Sequence, residues 1–251
     1  MTVEPHDPEP SDEDDAADVP TAFALWGTGL KHAETFAKAF QASLSYGTIT
    51  AALASVEDLL ELAGADHPVD SVRLVYFVGH GLLGSVSAYS KTQNVVTYAD
   101  GMASAWGNSP GQLRWVVLDS CLTLRWADPP QPWDKGTFDL WRPAFQGMRV
   151  LLGWSTLAKV DEKAHIGRPK RFAERLCKDH ETFWNAWEHA SHEHEHEYGD
   201  CDQVPACLYP LTDAHLSSPF RDEWTHGPSD QIVADTLVWH GALLSFDEPK
   251  P

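Results

Sequence analysis

Cysteine is scarce in this chain. Four residues, Cys121, Cys177, Cys201 and Cys207, are spread over 251 positions. That excludes a disulfide-built scaffold and leaves a reducing compartment, the cytoplasm, as the expected setting. Basic residues are scarce too: 18 Lys+Arg stand against 37 Asp+Glu, a formal charge of -19. Phosphate backbones and anionic lipid surfaces need a cationic partner, so neither nucleic acid nor membrane is an expected ligand. No apolar run reaches the roughly 20 residues of a transmembrane helix. The N-terminus lacks the basic patch and apolar stretch of a secretory signal. No cofactor is expected.

The acid excess is uneven. Residues 1–20 hold eight acids, four prolines and no Lys or Arg. Such a composition predicts a disordered acidic tail. Hydrophobic residues make up 43% of the whole chain, enough for one α/β domain over 21–251.

Apolar runs and periodicity outline that domain. Ala22–Trp26 reads as a first strand and Leu30–Leu44 as a helix, with Ala33, Phe36, Ala37, Phe40 and Leu44 on one face. Val56–Leu62 reads as a helix stopped by Gly64. Val72–Val78 and Leu113–Leu118 are nearly continuous apolar runs, which suits strands covered on both faces. Between them, residues 82–98 read as loop with a short hairpin. After a proline-rich loop (Pro129, Pro130, Pro132), Met148–Trp154 is another buried strand. Helices are predicted over 168–178 and 181–196, and late strands over 206–211 and 236–244. Strands alternating with helices predict a mostly parallel sheet with helices on both faces.

Chemistry gathers at two strand ends. The run Val75–Gly81 (VYFVGHG) ends in His80-Gly81, and Trp115–Cys121 (WVVLDSC) ends in Asp119-Ser120-Cys121. Functional groups in parallel α/β sheets collect at carboxyl ends of strands. A His beside a Cys raises the thiolate fraction, and the thiolate attacks a carbonyl. Gly81 lets a backbone N–H approach a developing oxyanion with no side chain in the way. Taken singly, a buried Cys or a strand-end His is more often structural.

The paired motifs resemble the caspase-like cysteine peptidases, a group that includes caspases, metacaspases, gingipains and the bacterial CHAT-type domains. The longer string, with FQGMRVLLGWST, GRPKRFAERL and FWNAWEHA, looks like a largely uncharacterised bacterial and fungal branch of that group. The resemblance spans Phe23 to Ala190. It departs from metacaspases after the cysteine, where Leu122-Thr123-Leu124 replaces His-Ser-Gly. The resemblance implies a caspase-like three-layer sandwich and a Cys-His dyad of Cys121 and His80. It places the amides of Gly81 and Cys121 at the oxyanion hole. It also makes Gly153–Thr156 the strand lining the substrate, with Trp154 as a pocket wall and Ser155 beside it. Asp119 joins them as a candidate, either near substrate, orienting His80, or capping a helix after Cys121. Arg114 and Arg125 flank the nucleophile in sequence, and no specificity for acidic residues arises from that alone.

Two further features stand apart. His189, His192 and His196 share one helical face in HASHEHEHEYGDC, with Cys201 behind them, a conceivable metal-ligand set that matches no recognised zinc spacing. A solvated helix end is the plainer reading. Lys159 to Arg175 forms a basic stripe that reads as the wet face of a helix or as a dock for the acidic tail.

Three functions are therefore expected as alternatives. The first is a cysteine hydrolase, a caspase-like endopeptidase acting on a peptide or protein through an acyl-enzyme. The second is a non-proteolytic use of the same fold, as a binding or scaffold module or a biosynthetic enzyme. The third is a metal-binding protein built on the histidine segment. Oligomeric state is not legible.

Overall fold

The computed structural model describes residues 21–44, 48–82, 84–90, 93–106, 112–126, 136–158, 167–198, 203–210 and 237–241. The acidic segment 1–20 and Cys201 lie outside the described residues. In chain order the strands are β1 (Thr21–Trp26), β2 (Thr48–Leu53), β3 (Leu74–Val78), β4 (Ser85–Ser90), β5 (Gln93–Tyr98), β6 (Trp115–Asp119), β7 (Val150–Trp154), β8 (Pro205–Pro210) and β9 (Leu237–Gly241). Seven of them lie side by side in one sheet, in the order β2-β1-β3-β6-β7-β8-β9. From β2 to β7 all pairings are parallel, while β8 and β9 run antiparallel. Strands β4 and β5 form a separate hairpin.

Every residue of β3, β6 and β7 is buried. Helices cover both sides, which is why these runs are apolar without alternation. On one face pack α1 (Ala33–Ser43), α5 (Gly167–Cys177) and α6 (Phe183–Tyr198). They meet Tyr76, Val78, Trp115, Val117, Leu152 and Trp154. On the other face, α2 (Val56–Leu60), α3 (Ala99–Ala105), α4 (Thr137–Trp141) and strand β4 cover Val75, Phe77, Val116, Leu118 and Leu151. The result is a three-layer α/β sandwich, as the alternation of strands and helices predicts.

Local signals explain most boundaries. Ser55 caps α2: its hydroxyl accepts from the Asp58 N–H at 2.9 Å, and Asp58 accepts from the Ser55 N–H at 3.0 Å. Such a capping box is worth about 1 kcal/mol. The helix ends at Glu61 in a left-handed conformation (φ 53°), ahead of the expected stop at Gly64. Strand β2 and helices α3 and α4 are not predicted by periodicity. The TITAAL run of β2 is half-exposed at the sheet edge and carries only one large apolar residue before Leu53. Helices α3 and α4 are too short to show a face. Among the described residues no helix is long and apolar enough to cross a membrane.

Candidate active site

Strands β3 and β6 are direct neighbours in parallel register, with Val78 opposite Asp119. His80 and Cys121 each lie two residues beyond that pair, past the carboxyl ends of two neighbouring strands. Side chains alternate along a strand. Tyr76 and Val78 face the α1, α5 and α6 layer, as do Trp115 and Val117. Cys121, beyond the end of β6, packs against the cluster on that face.

The imidazole is exposed and anchored by the chain after β1. His80 Nε2 lies 3.0 Å from the Gly29 carbonyl oxygen. A carbonyl only accepts, so Nε2 carries the proton, and in the neutral ring Nδ1 keeps its lone pair. Among the described residues nothing bonds to that Nδ1. Gly29 holds φ at +82°, and a Cβ there would meet His80 Cδ2 at 3.1 Å. Glycine therefore serves both the left-handed backbone and the close seat of the ring.

Cys121 is half-buried. Its Sγ receives the Ala158 N–H at 3.2 Å and lies 3.4 Å from the Ala158 carbonyl oxygen, to which the thiol donates. Leu122, next in the chain, is forced into left-handed space (φ 59°), a rare state for a branched residue and a mark of local strain. Gly81 presses on this turn: a Cβ at 81 would fall 2.7 Å from both the Cys121 carbonyl oxygen and Ser120 Cβ. Glycine at 81 is thus required by close approach of the neighbouring chain. Among the described residues no group accepts a hydrogen bond from the amide of Gly81 or of Cys121.

Asp119 takes a different place from the one expected. It is buried beneath the site, and its carboxylate is saturated. Tyr76 Oη donates to Oδ2 at 2.9 Å and Trp154 Nε1 to Oδ1 at 3.0 Å. Arg168 closes the cluster with Nε on Oδ2 at 3.0 Å and Nη2 on Oδ1 at 2.6 Å. Asp119 therefore neither caps the turn nor reaches His80. Burial first, then the Asp119 carboxylate, pushes the Tyr76 phenol well above its ordinary range, so it stays a donor. Trp154, expected as a pocket wall, is wholly buried. Its ring packs against Trp187 and lies 4.9 Å from the Arg168 guanidinium carbon.

Gly153–Thr156 does not present a free edge to substrate either. On one side the Leu124 N–H donates to Trp154 O and the Leu122 N–H to Thr156 O. On the other, the Ser155 N–H donates to Val204 O. The Ser155 hydroxyl accepts from the Trp126 N–H at 3.2 Å, so it positions Trp126. Sequence reasoning misses Gly29, Ala158 and Arg168. A glycine just past a strand end is the available signal for Gly29. Arg168 belongs by sequence to a wet basic stripe, yet it is a core residue.

The histidine segment is divided. His189 Nδ1 sits 3.0 Å from Glu181 Oε2 and 3.3 Å from Arg175 Nη1, inside an ion-pair network between α5 and α6. Among the described residues no group of three His, Cys, Asp or Glu side chains could hold a metal. The His196 side chain and Cys201 lie outside the described residues.

No curated protein matches the chain. Among solved structures it is similar to the Arg-specific cysteine proteinase gingipain R, with 13% identity and a TM-score of 0.47. That likeness covers 75% of this chain and 44% of the proteinase, so the chain spans less than half of that protein's length. A family model matches residues 29–234, which include His80, Gly81, Cys121 and the residues that hold them. The chain therefore belongs to the family described as Domain of unknown function (DUF6345).

Proposed function

We propose that this protein is a cysteine hydrolase of the peptidase type, with Cys121 as nucleophile and His80 as general base and acid. One observation supports the reading: β3 and β6 are parallel neighbours up to Val78 and Asp119, so His80 and Cys121 follow adjacent strand ends, and among the described residues the amides of Gly81 and Cys121 donate to no group. The motif resemblance to caspase-like peptidases points the same way.

Catalysis begins when the Cys121 thiol gives its proton to His80 Nδ1 and the thiolate attacks the substrate carbonyl carbon. The oxyanion that forms is held by the N–H groups of Gly81 and Cys121. His80 then returns the proton to the leaving amine as the C–N bond breaks, leaving a thioester on Cys121. Water, deprotonated by His80, hydrolyses that thioester and frees the acid. Gly29 O acts throughout as the orienting group for the imidazole, the task a carboxylate performs in other triads. The Ala158 N–H remains on Sγ and stabilises the thiolate once the proton has left.

The test is cleavage of a peptide library by the full chain, alongside Cys121→Ala and His80→Ala. Cleavage by the wild type should fall by roughly 10²-fold or more in each variant. Cleavage that survives Cys121→Ala, or no cleavage by the wild type, would contradict the assignment.

A further inference from the structure

Granting the cysteine hydrolase reading, we infer that its substrate is an apolar peptide segment, with an apolar side chain on the residue whose carbonyl Cys121 attacks. Six large hydrophobic residues are exposed among the described residues: Leu53, Leu62, Leu82, Tyr89, Trp126 and Leu157. Five of them, all but Leu62, stand at the carboxyl edge of the sheet, where Cys121 lies. Leu53 is the last residue of β2, paired with the last residue of β1. The Tyr89 N–H donates to the Ala54 carbonyl just beyond it. Leu82 follows Gly81, and Leu157 precedes Ala158, whose backbone touches the sulfur. Trp126 is held by Ser155 and packs against Phe138 and Trp239 with ring centroids 5.7 and 5.2 Å away.

These five side chains are 38–64% exposed, and their concentration at one edge marks a binding face, since scattered exposed apolar residues would need no explanation. Leu82 directly follows Gly81 and the half-buried Leu122 directly follows Cys121, so apolar side chains adjoin both proposed oxyanion amides along the chain. Recognition of a basic side chain there needs a carboxylate. Among the described residues, the segments beyond the carboxyl ends of β1, β3, β6 and β7 (28–30, 80–82, 84–85, 120–126 and 155–158) contain none. Among the described residues, Asp119, two positions before Cys121, is buried and taken up by Arg168. Recognition of an acidic side chain needs a cation, and Arg125 is the one permanent charge in those segments. Leu82, Leu122 and Leu157 adjoin Gly81, Cys121 and Ala158 in the chain, so burial of an apolar group is the interaction they offer.

The experiment compares peptidyl acyloxymethyl ketones that differ only in the residue next to the reactive carbonyl: Leu, Arg or Asp. Modification of Cys121 is followed by intact-protein and peptide mass spectrometry, with iodoacetamide as the probe that needs no recognition. The leucyl probe should react at least ten-fold faster than either charged probe. That margin should shrink in Leu157→Asp and Leu82→Asp while iodoacetamide labelling is unchanged. Equal or faster labelling by the Arg or Asp probe would overturn the inference. So would failure of all three where iodoacetamide labels Cys121 in a His80-dependent manner. Loss of His80 dependence for iodoacetamide itself would instead strike the hydrolase reading beneath it.

Discussion

The proposed site is held together by backbone contacts that leave no room for one methyl group. Gly81 lies where a Cβ would come within 2.7 Å of the Cys121 carbonyl oxygen and of Ser120 Cβ. Gly81→Ala should therefore push the two strand ends apart, costing about 1–3 kcal/mol by the usual penalty for overpacking. Urea unfolding reads that cost, and the rate of Cys121 alkylation should fall with it; a variant equal to wild type on both would show that the contact is not needed. His80, Gly81 and Cys121 can be picked out as candidates from the sequence because they follow long apolar runs, where residue type and position coincide. Ala158 cannot, because it meets Cys121 across 37 residues of chain through backbone atoms that any residue supplies. Trp154 and Asp119 are misplaced by sequence for a related reason. Their polar atoms look available in a linear chain, and only the fold reveals that each satisfies the other.

That mutual satisfaction works at the level of elements. Asp119 ends β6, Tyr76 lies in β3, Trp154 ends β7 and Arg168 opens α5, so one carboxylate ties four elements beneath the candidate site. Removing one partner of a buried pair strands the other charge, at about 3–5 kcal/mol. Arg168→Met should lose that much in urea unfolding, and adding Asp119→Asn should recover part of it. Strictly additive losses would contradict the pairing. A second element junction predicts a pH effect. Burial, opposed by the Asp70 N–H and reinforced by the Asp70 carboxylate, raises the Glu61 carboxyl to about 7 from an ordinary 4.5. The folded state thus binds more protons than the unfolded state between those values, and stability falls as pH rises through them. A glutamine oxygen can still accept from the Asp70 N–H. Glu61→Gln should therefore flatten the unfolding midpoint between about pH 4.5 and 7 and raise it at pH 8; an unchanged slope would remove Glu61 as its source. Strongly periodic helices such as α1 and α5 can be placed from sequence. Strand β2 cannot, since an edge strand with small side chains lacks the apolar alternation that marks a half-buried one.

Across the whole molecule, chain order and spatial order part company between β3 and β6. The hairpin and α3 lie between them in sequence but leave the main sheet, so the two strands become neighbours. That adjacency converts two separate sequence motifs into one candidate site. Alternating strands and helices make the parallel sheet legible. The antiparallel turn of β8 and β9 is not, since strand direction depends on crossovers that local patterns do not encode.

The central claim is that His80 activates Cys121, and the most direct test is site-resolved alkylation with iodoacetamide at pH 7, in wild type and His80→Ala. Cys177 and Cys207 are buried, and burial pushes the Cys207 thiol far up, so both should stay inert in the folded protein. Cys121 should be the fastest-reacting cysteine, and it should slow by roughly ten-fold or more without His80. A Cys121 that is unreactive, or equally reactive in both proteins, would contradict the claim.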